Sequence, residues 1–239
     1  MIANPPCVLI VGCGSIGERH LRCFQSTGAA EVAACDANVT LLDRVAETYA
    51  VPKFADLGDA LAARKWDALV ICTPAHTHLP IALLGLEHGA HLLIEKPLAV
   101  DAALVPQVRE AIAKSDRAVA IAYVYHAMPW IAAMRDALHS GDFGRPLHAS
   151  FVAGQHFPTF RPAYRDIYYA RHESGGGAIQ DAITHLVNAM EWMLGPVTRL
   201  YADARHQALE GVEVEDTVVI SARHGDVLGS YTMNQFQAP

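Results

Sequence analysis

The chain has 239 residues, 52% of them apolar and 18% charged, with a net charge of −7. That length holds one large domain or two modest ones, and that apolar fraction builds a packed core, which excludes a disordered chain. The acidic balance, without a Lys/Arg block, argues against nucleic acid as a partner. No apolar run approaches the ~20 residues a bilayer span requires, so no membrane partner is expected. Met1 to Pro6 carries no basic residue and does not read as a secretory leader. The five cysteines, Cys7, Cys13, Cys23, Cys35 and Cys72, lack C-x-x-C spacing. They read as reduced, small core residues of a cytoplasmic protein.

Residues 8 to 20 read VLIVGCGSIGERH. An apolar strand, Val8 to Val11, runs into Gly12, Gly14 and Gly17, the G-x-G-x-x-G spacing of a dinucleotide-binding turn. Gly12 permits the tight turn, Gly14 leaves room for a pyrophosphate, and Gly17 lets the following helix pack closely. Ser15 and Ile16 open that helix, whose positive end suits phosphate. The helix runs from Ile16 to Ser26. Strand Glu31 to Cys35 follows and ends at Asp36, 24 residues beyond Gly12. This is the expected place for a carboxylate that accepts hydrogen bonds from a ribose. No arginine follows it to pair with a 2′-phosphate, so NAD is favoured over NADP. Asn38 caps a further helix containing Leu41, Leu42, Val45 and Tyr49.

A short helix spans Asp56 to Arg64, and strand Ala68 to Cys72 leads into Thr73-Pro74 and His76-x-His78. The histidine pair has no third ligand at diagnostic spacing, so no metal is expected. Helix Pro80 to His88, strand His91 to Ile94, a helix starting near Val105 and ending at Lys114, and strand Val119 to Tyr123 complete this half. Alternating strands and helices imply a doubly wound parallel sheet with ligands at the carboxyl ends of its strands. Gly12 to Gly17, Asp36, Thr73-Pro74, Glu95-Lys96-Pro97 and Tyr123 to His126 all fall at such ends.

From residue 124 the pattern changes to α+β with an antiparallel sheet. A helix covers Pro129 to Ser140 and a strand Leu147 to Val152. Residues 154 to 173 form an irregular loop carrying Arg161, Arg165 and Arg171, candidates for binding an acidic substrate group. The glycines 175 to 177 open a helix to Leu194. Strands Arg199 to Ala204, Thr217 to Arg223 and Val227 to Gln235 close the chain, the last two joined by a hairpin at His224-Gly225-Asp226. On a helical wheel at ~100° per residue, Asp181, His185, Asn188 and Trp192 share one narrow face, and Ile179, Ile183, Leu186 and Met190 the opposite, core face.

GCGSIGERH, TPAHTH, LIEKPLA and GGGAIQDAITH together resemble the Gfo/Idh/MocA superfamily of oxidoreductases, over nearly the whole chain. The resemblance implies an N-terminal Rossmann domain, residues 1–123, and a C-terminal α+β domain with an open antiparallel sheet, residues 124–239, with substrate between them. It implies that Lys96 reaches the reacting oxygen, that the Lys96–Pro97 peptide is cis, that His185 accepts the proton and that Asp181 assists. Thr73, Pro74, His78, Glu95 and Pro97 would line the cofactor site, and Lys96, Tyr125, Arg165, Asp181 and His185 the substrate. The implied reaction is NAD-dependent hydride transfer with a secondary hydroxyl of a sugar, sugar acid or cyclitol. The alternatives are a non-catalytic dinucleotide-binding regulator and an NAD-using glycosidase. Val124-Tyr125-His126 departs from the family's Asn-Tyr-Arg-like run. Relatives usually continue beyond YTMNQFQAP with further strands, so the second sheet is expected to be incomplete, a sheet that relatives use to form homo-oligomers.

Overall fold

A computed structural model describes residues 4–238. The readings drawn from Met1 to Pro6 and from the end at Pro239 fall partly on residues 1–3 and on residue 239, which lie outside those described. The chain divides into two compact units, Met1–Ala122 and Tyr123–Pro239.

In the first unit the elements are β1 (Cys7–Val11), α1 (Ser15–Thr27), β2 (Glu31–Cys35), α2 (Val39–Tyr49), β3 (Lys53–Phe54), α3 (Leu57–Ala63), β4 (Ala68–Ile71), α4 (His78–Glu87), β5 (His91–Ile94), α5 (Val105–Lys114) and β6 (Val119–Ile121). The six strands form one sheet in the order β3-β2-β1-β4-β5-β6. Every pairing in it is parallel. This is the doubly wound order, and its topological switch lies between β1 and β4. Successive strand side chains alternate between faces. Leu9, Val11, Ala33, Leu69, Ile71, Leu92 and Ile94 therefore join one core with Leu61 of α3 and Leu86 of α4. Val8, Ile10, Val32, Ala34 and Val70 join the other with Leu21 of α1 and Leu42 and Val45 of α2. Leu9, Ile10, Leu69, Ile71 and Ile94 are fully buried. Each contributes about 2 kcal/mol relative to exposure. Asn38 and Asp56 cap α2 and α3 through their side chains. Pro106 sits in the first turn of α5, where its missing N–H costs nothing.

The second unit holds α6 (Pro129–Ser140), β7 (His148–Gly154), α7 (Phe157–Phe160), a π-helical turn Ile179–Ile183 continued by α8 (Thr184–Leu194), then β8 (Arg199–Arg205), β9 (Thr217–His224) and β10 (Val227–Asn234). Its sheet runs β7-β10-β9-β8. β9 pairs antiparallel with both neighbours, but β7 pairs parallel with β10, so the sheet is mixed rather than wholly antiparallel. Val227, Gly229, Tyr231 and Met233 of β10 point inward, while Leu228 and Ser230 point out. The inner face packs on Ile131 of α6 and Leu186, Met190 and Met193 of α8.

Two further expectations need correction. Ile179, assigned to the core face of its helix, is 42% exposed, while Ile183, Leu186 and Met190 are buried. The π turn closes i→i+5 bonds, so its residues advance by less than 100° each and Ile179 swings off the core stripe. Cys23 is exposed and Cys7 half-buried; only Cys13, Cys35 and Cys72 are core residues. On α1 the buried stripe runs through Gly17 and Leu21. Cys23, two residues and about 200° further, faces outward. The loop of residues 154–173 contains α7 and short 3₁₀ turns at Tyr168–Ala170 and His172–Ser174. It has its own core of Phe157, Tyr164, Tyr169, Leu209, Val212 and Val214.

Candidate active site

Gly12 follows β1 with φ +94°, and a Cβ there would lie 2.7 Å from the Cys72 carbonyl carbon. A Cβ on Gly17 would lie 1.8 Å from the Gly12 carbonyl oxygen. The turn is therefore built on backbone-to-backbone contact that only glycine allows at both positions. At Gly14, by contrast, a Cβ would meet nothing within 4 Å. Gly14 is the N-cap of α1, so the open space lies at the positive end of the helix. Ser15 and Ile16 are exposed in the first helical turn. This combination fits a pyrophosphate. Asp36 ends β2 and binds the turn itself: Oδ2 accepts the Cys13 N–H at 2.6 Å and Oδ1 the Asn38 N–H at 2.7 Å. Burial, reinforced by the Asp36 charge, pushes the Cys13 thiol up to about 12, so no reactive thiolate stands beside the turn.

β4 runs out into Thr73 and Pro74. Thr77 Oγ1 lies 2.7 Å from Thr73 Oγ1 and 2.8 Å from the Pro74 carbonyl oxygen. β5 ends at Glu95, which is 8% exposed. The Lys96–Pro97 peptide bond is cis, as the resemblance implied. Glu95 Oε1 lies 2.7 Å from His20 Nε2, and Oε2 accepts the Lys96 backbone N–H at 3.2 Å. His78, 1% exposed, has Nε2 2.7 Å from the Thr73 carbonyl and Nδ1 2.9 Å from the Pro97 carbonyl. Burial lowers its pKa despite the two carbonyl acceptors, so the neutral ring donates to one of them at a time. His78 thus ties together two loops at this sheet edge, and both of its ring nitrogens face backbone.

In the second unit, Asp181 is buried in the π turn, and half-buried His185 stands in the first turn of α8. Tyr168 donates its hydroxyl to Asp181 Oδ1 at 2.8 Å. The His185 ring stands between two tyrosines: edge-on to Tyr123 with centroids 5.7 Å apart, and tilted against half-buried Tyr125, also at 5.7 Å. Thr184 donates to the Tyr123 hydroxyl at 3.1 Å. The next turns of this helix carry Asn188 and then Trp192, which stacks on His126 at 4.3 Å and lies under the Arg135 guanidinium at 4.9 Å.

The glycines before the helix serve Glu215. Its Oε1 accepts the Ile179 N–H at 2.8 Å, its Oε2 lies 2.5 Å from His172 Nε2, and a Cβ on Gly177 would strike the carboxylate. Arg165 is held elsewhere: its Nε donates to the Glu210 carbonyl at 2.8 Å and its guanidinium lies 4.8 Å above the Tyr164 ring. Among the described residues no group of three His, Cys, Asp or Glu side chains is arranged to hold a metal ion, and no helix is long and apolar enough to cross a membrane.

Residues 7–123 match the family model described as "Oxidoreductase family, NAD-binding Rossmann fold", and residues 131–239 match the GFO/IDH/MocA C-terminal domain. The chain belongs to the GFO/IDH/MocA oxidoreductase family. Among its relatives is inositol 2-dehydrogenase/D-chiro-inositol 3-dehydrogenase of Shouchella clausii, 26% identical over 92% of this chain and 63% of the relative. Another is inositol 2-dehydrogenase of Burkholderia multivorans, 29% identical over 78% of this chain and 53% of the relative. The chain thus spans roughly half to two thirds of the length of these relatives. Among solved structures, the WlbA dehydrogenase from Bordetella pertussis, in complex with NADH and UDP-GlcNAcA, superposes with a TM-score of 0.89 at 26% identity, over 99% of this chain and 74% of that one.

For this family member the sequence reading assigned no role to His20, Tyr168, His172 or Glu215. His20 stands inside the quoted GERH, three residues after Gly17, but its partner Glu95 is 75 residues away. Tyr168 lies in the irregular loop, 13 residues before Asp181. No local pattern links it to Asp181.

Proposed function

We propose that the protein is an NAD-dependent dehydrogenase that transfers a hydride between the nicotinamide and a secondary hydroxyl of a sugar, sugar acid or cyclitol, with residues 1–123 binding cofactor and 124–239 binding substrate. The observation that carries this reading is Lys96, held through its backbone by the buried Glu95 carboxylate, on the same sheet edge as the open Gly14 turn. The inositol dehydrogenase relatives and the sugar-nucleotide complex of a structural neighbour support the substrate class.

Gly12, Gly14, Ser15, Ile16 and Gly17 would hold the pyrophosphate, Asp36 the ribose hydroxyls, and Thr73, Pro74, Glu95 and Pro97 the rest of the cofactor site. When bound, NAD supplies the hydride acceptor. Alcohol oxidation also needs a proton acceptor, and an imidazole titrates in the useful range. His185 has that role, with its ring orientation limited by Tyr123 and Tyr125. The Lys96 ammonium stabilises charge developing on the alcohol oxygen. Asp181, fixed by Tyr168, orients a neighbouring hydroxyl, and Tyr125 lines the substrate. His78 acts through the Thr73 and Pro97 carbonyls. Arg165 would contact an acidic substrate only if its pairing with Glu210 opened. Val152, Val219 and Leu228 lie exposed on the outer face of the second sheet and suit self-association.

NAD reduction measured against inositols, sugars and sugar acids tests the reading. Steady NADH formation with one of these classes is the expected result. NADH binding without turnover on any of them would favour a regulator, and substrate cleavage without net NADH a glycosidase.

A further inference from the structure

Glu95 is 8% exposed, so its carboxylate is poorly solvated and its charge must be met by the protein. His20 meets it, with Nε2 2.7 Å from Oε1 and the two side chains only 21% and 11% exposed. The other carboxylate oxygen accepts the Lys96 N–H. One buried carboxylate therefore joins α1, the helix that begins at the glycine turn, to the backbone of Lys96. On the far side of Lys96, the Pro97 carbonyl lies 2.9 Å from His78 Nδ1. The lysine stands between two backbone positions, one reached by His20 through Glu95 and the other facing His78.

We propose that His20 is a positioning residue: through Glu95 it sets the direction of the Lys96 side chain and couples it to the turn that would hold the cofactor phosphates. The proposal rests on the reading of Lys96 as the ammonium that faces the substrate. Without His20, Glu95 Oε1 loses its partner, the carboxylate turns, and the Lys96 backbone that Oε2 holds turns with it. The lysine is then turned from its working direction, while the glycine turn, built on Gly12, Gly17 and Asp36, keeps its shape.

The chain has four lysines, Lys53, Lys65, Lys96 and Lys114. Reductive methylation with ¹³C therefore gives a simple spectrum, and Lys96→Arg identifies the Lys96 signal. In the full chain, His20→Ala is expected to move the Lys96 signal alone, and His20→Gln, which keeps a donor at similar reach, to return it. An unmoved Lys96 signal, movement of all four signals together, or no return in His20→Gln overturns the proposal. With a substrate in hand, His20→Ala lowers kcat on the order of ten- to a hundredfold with NADH Kd within about threefold, the scale of a small misplacement of a reacting group. An unchanged kcat, or an equal loss in NADH binding, contradicts it. Lys96→Ala, run alongside, separates the two claims: retained turnover there defeats the dehydrogenase reading of Lys96, while the spectrum still reports whether His20 directs that side chain.

Discussion

The Asp36 carboxylate lies 2.6 Å from the Cys13 backbone nitrogen, so the residue that ends β2 fastens the glycine turn that follows β1. One carboxylate thus has a folding task and a proposed ribose-binding task. Asp36→Ala removes charge-assisted hydrogen bonds of about 1.5–3 kcal/mol. NADH affinity is expected to fall at least tenfold by fluorescence titration, and the preference for NADH over NADPH to narrow. An unchanged NADH Kd would contradict both tasks.

Gly17→Ala tests the turn more severely. Its Cβ would lie 1.8 Å from the Gly12 carbonyl oxygen, and that contact is backbone, which cannot swing aside as a side chain can. The cost is expected to exceed the 1–3 kcal/mol of ordinary overpacking, with a clear drop in Tm and loss of NADH binding. Gly14→Ala has open space and should leave Tm nearly unchanged while still impeding NADH.

His78 gives stability a pH dependence. Its pKa in the folded chain lies below the ordinary value because burial disfavours the charged ring. Between that lowered pKa and the unfolded value of ~6.5, the unfolded chain binds more protons, so stability rises with pH. The contribution is fully present above about pH 6.5 and is lost as pH falls through the folded pKa. Urea unfolding of wild type and His78→Gln from pH 5 to 8 should show a shallower acid limb in the variant. Parallel curves would contradict the assignment.

Asp216 acts at lower pH. It is fully buried, which by itself raises a carboxyl pKa, but the N–H groups of Ala208, Leu209 and Gln207 and the Thr217 hydroxyl outweigh burial and lower it. Its stabilisation is present above the unfolded pKa of ~3.9 and is lost as pH falls through the folded pKa. Asp216→Ala strands three backbone donors and should cost about 3 kcal/mol in urea unfolding at neutral pH. A loss below 1 kcal/mol would contradict this account.

The parallel sheet was legible because runs such as VLIV and ALVI, buried on both faces, alternate with capped helices at short spacing. β3 was not, because Lys53 and Phe54 are too few to carry a pattern. The parallel pairing of β7 with β10 was hidden by sequence separation, since strand partners some 80 residues apart leave no local trace. The π turn misled the wheel at Ile179, because a fixed 100° step cannot anticipate a widened turn. In the candidate site, the glycines, Asp36 and Glu95-Lys96-Pro97 announced themselves at strand ends. The contacts of His20 with Glu95 and of His78 with two carbonyls in the first unit, and of Tyr168 with Asp181 in the second, depend on tertiary packing.

In the proposed function, Lys96 and His185 carry the chemistry on a cofactor site that does not depend on them. The measurement is steady-state NAD reduction by wild type, Lys96→Ala and His185→Ala on the accepted substrate, with NADH affinity determined for each by fluorescence. The expected result is a loss of kcat on the order of 10²–10⁴-fold in each variant, with NADH Kd within about threefold of wild type. Turnover near the wild-type rate in both variants would contradict it.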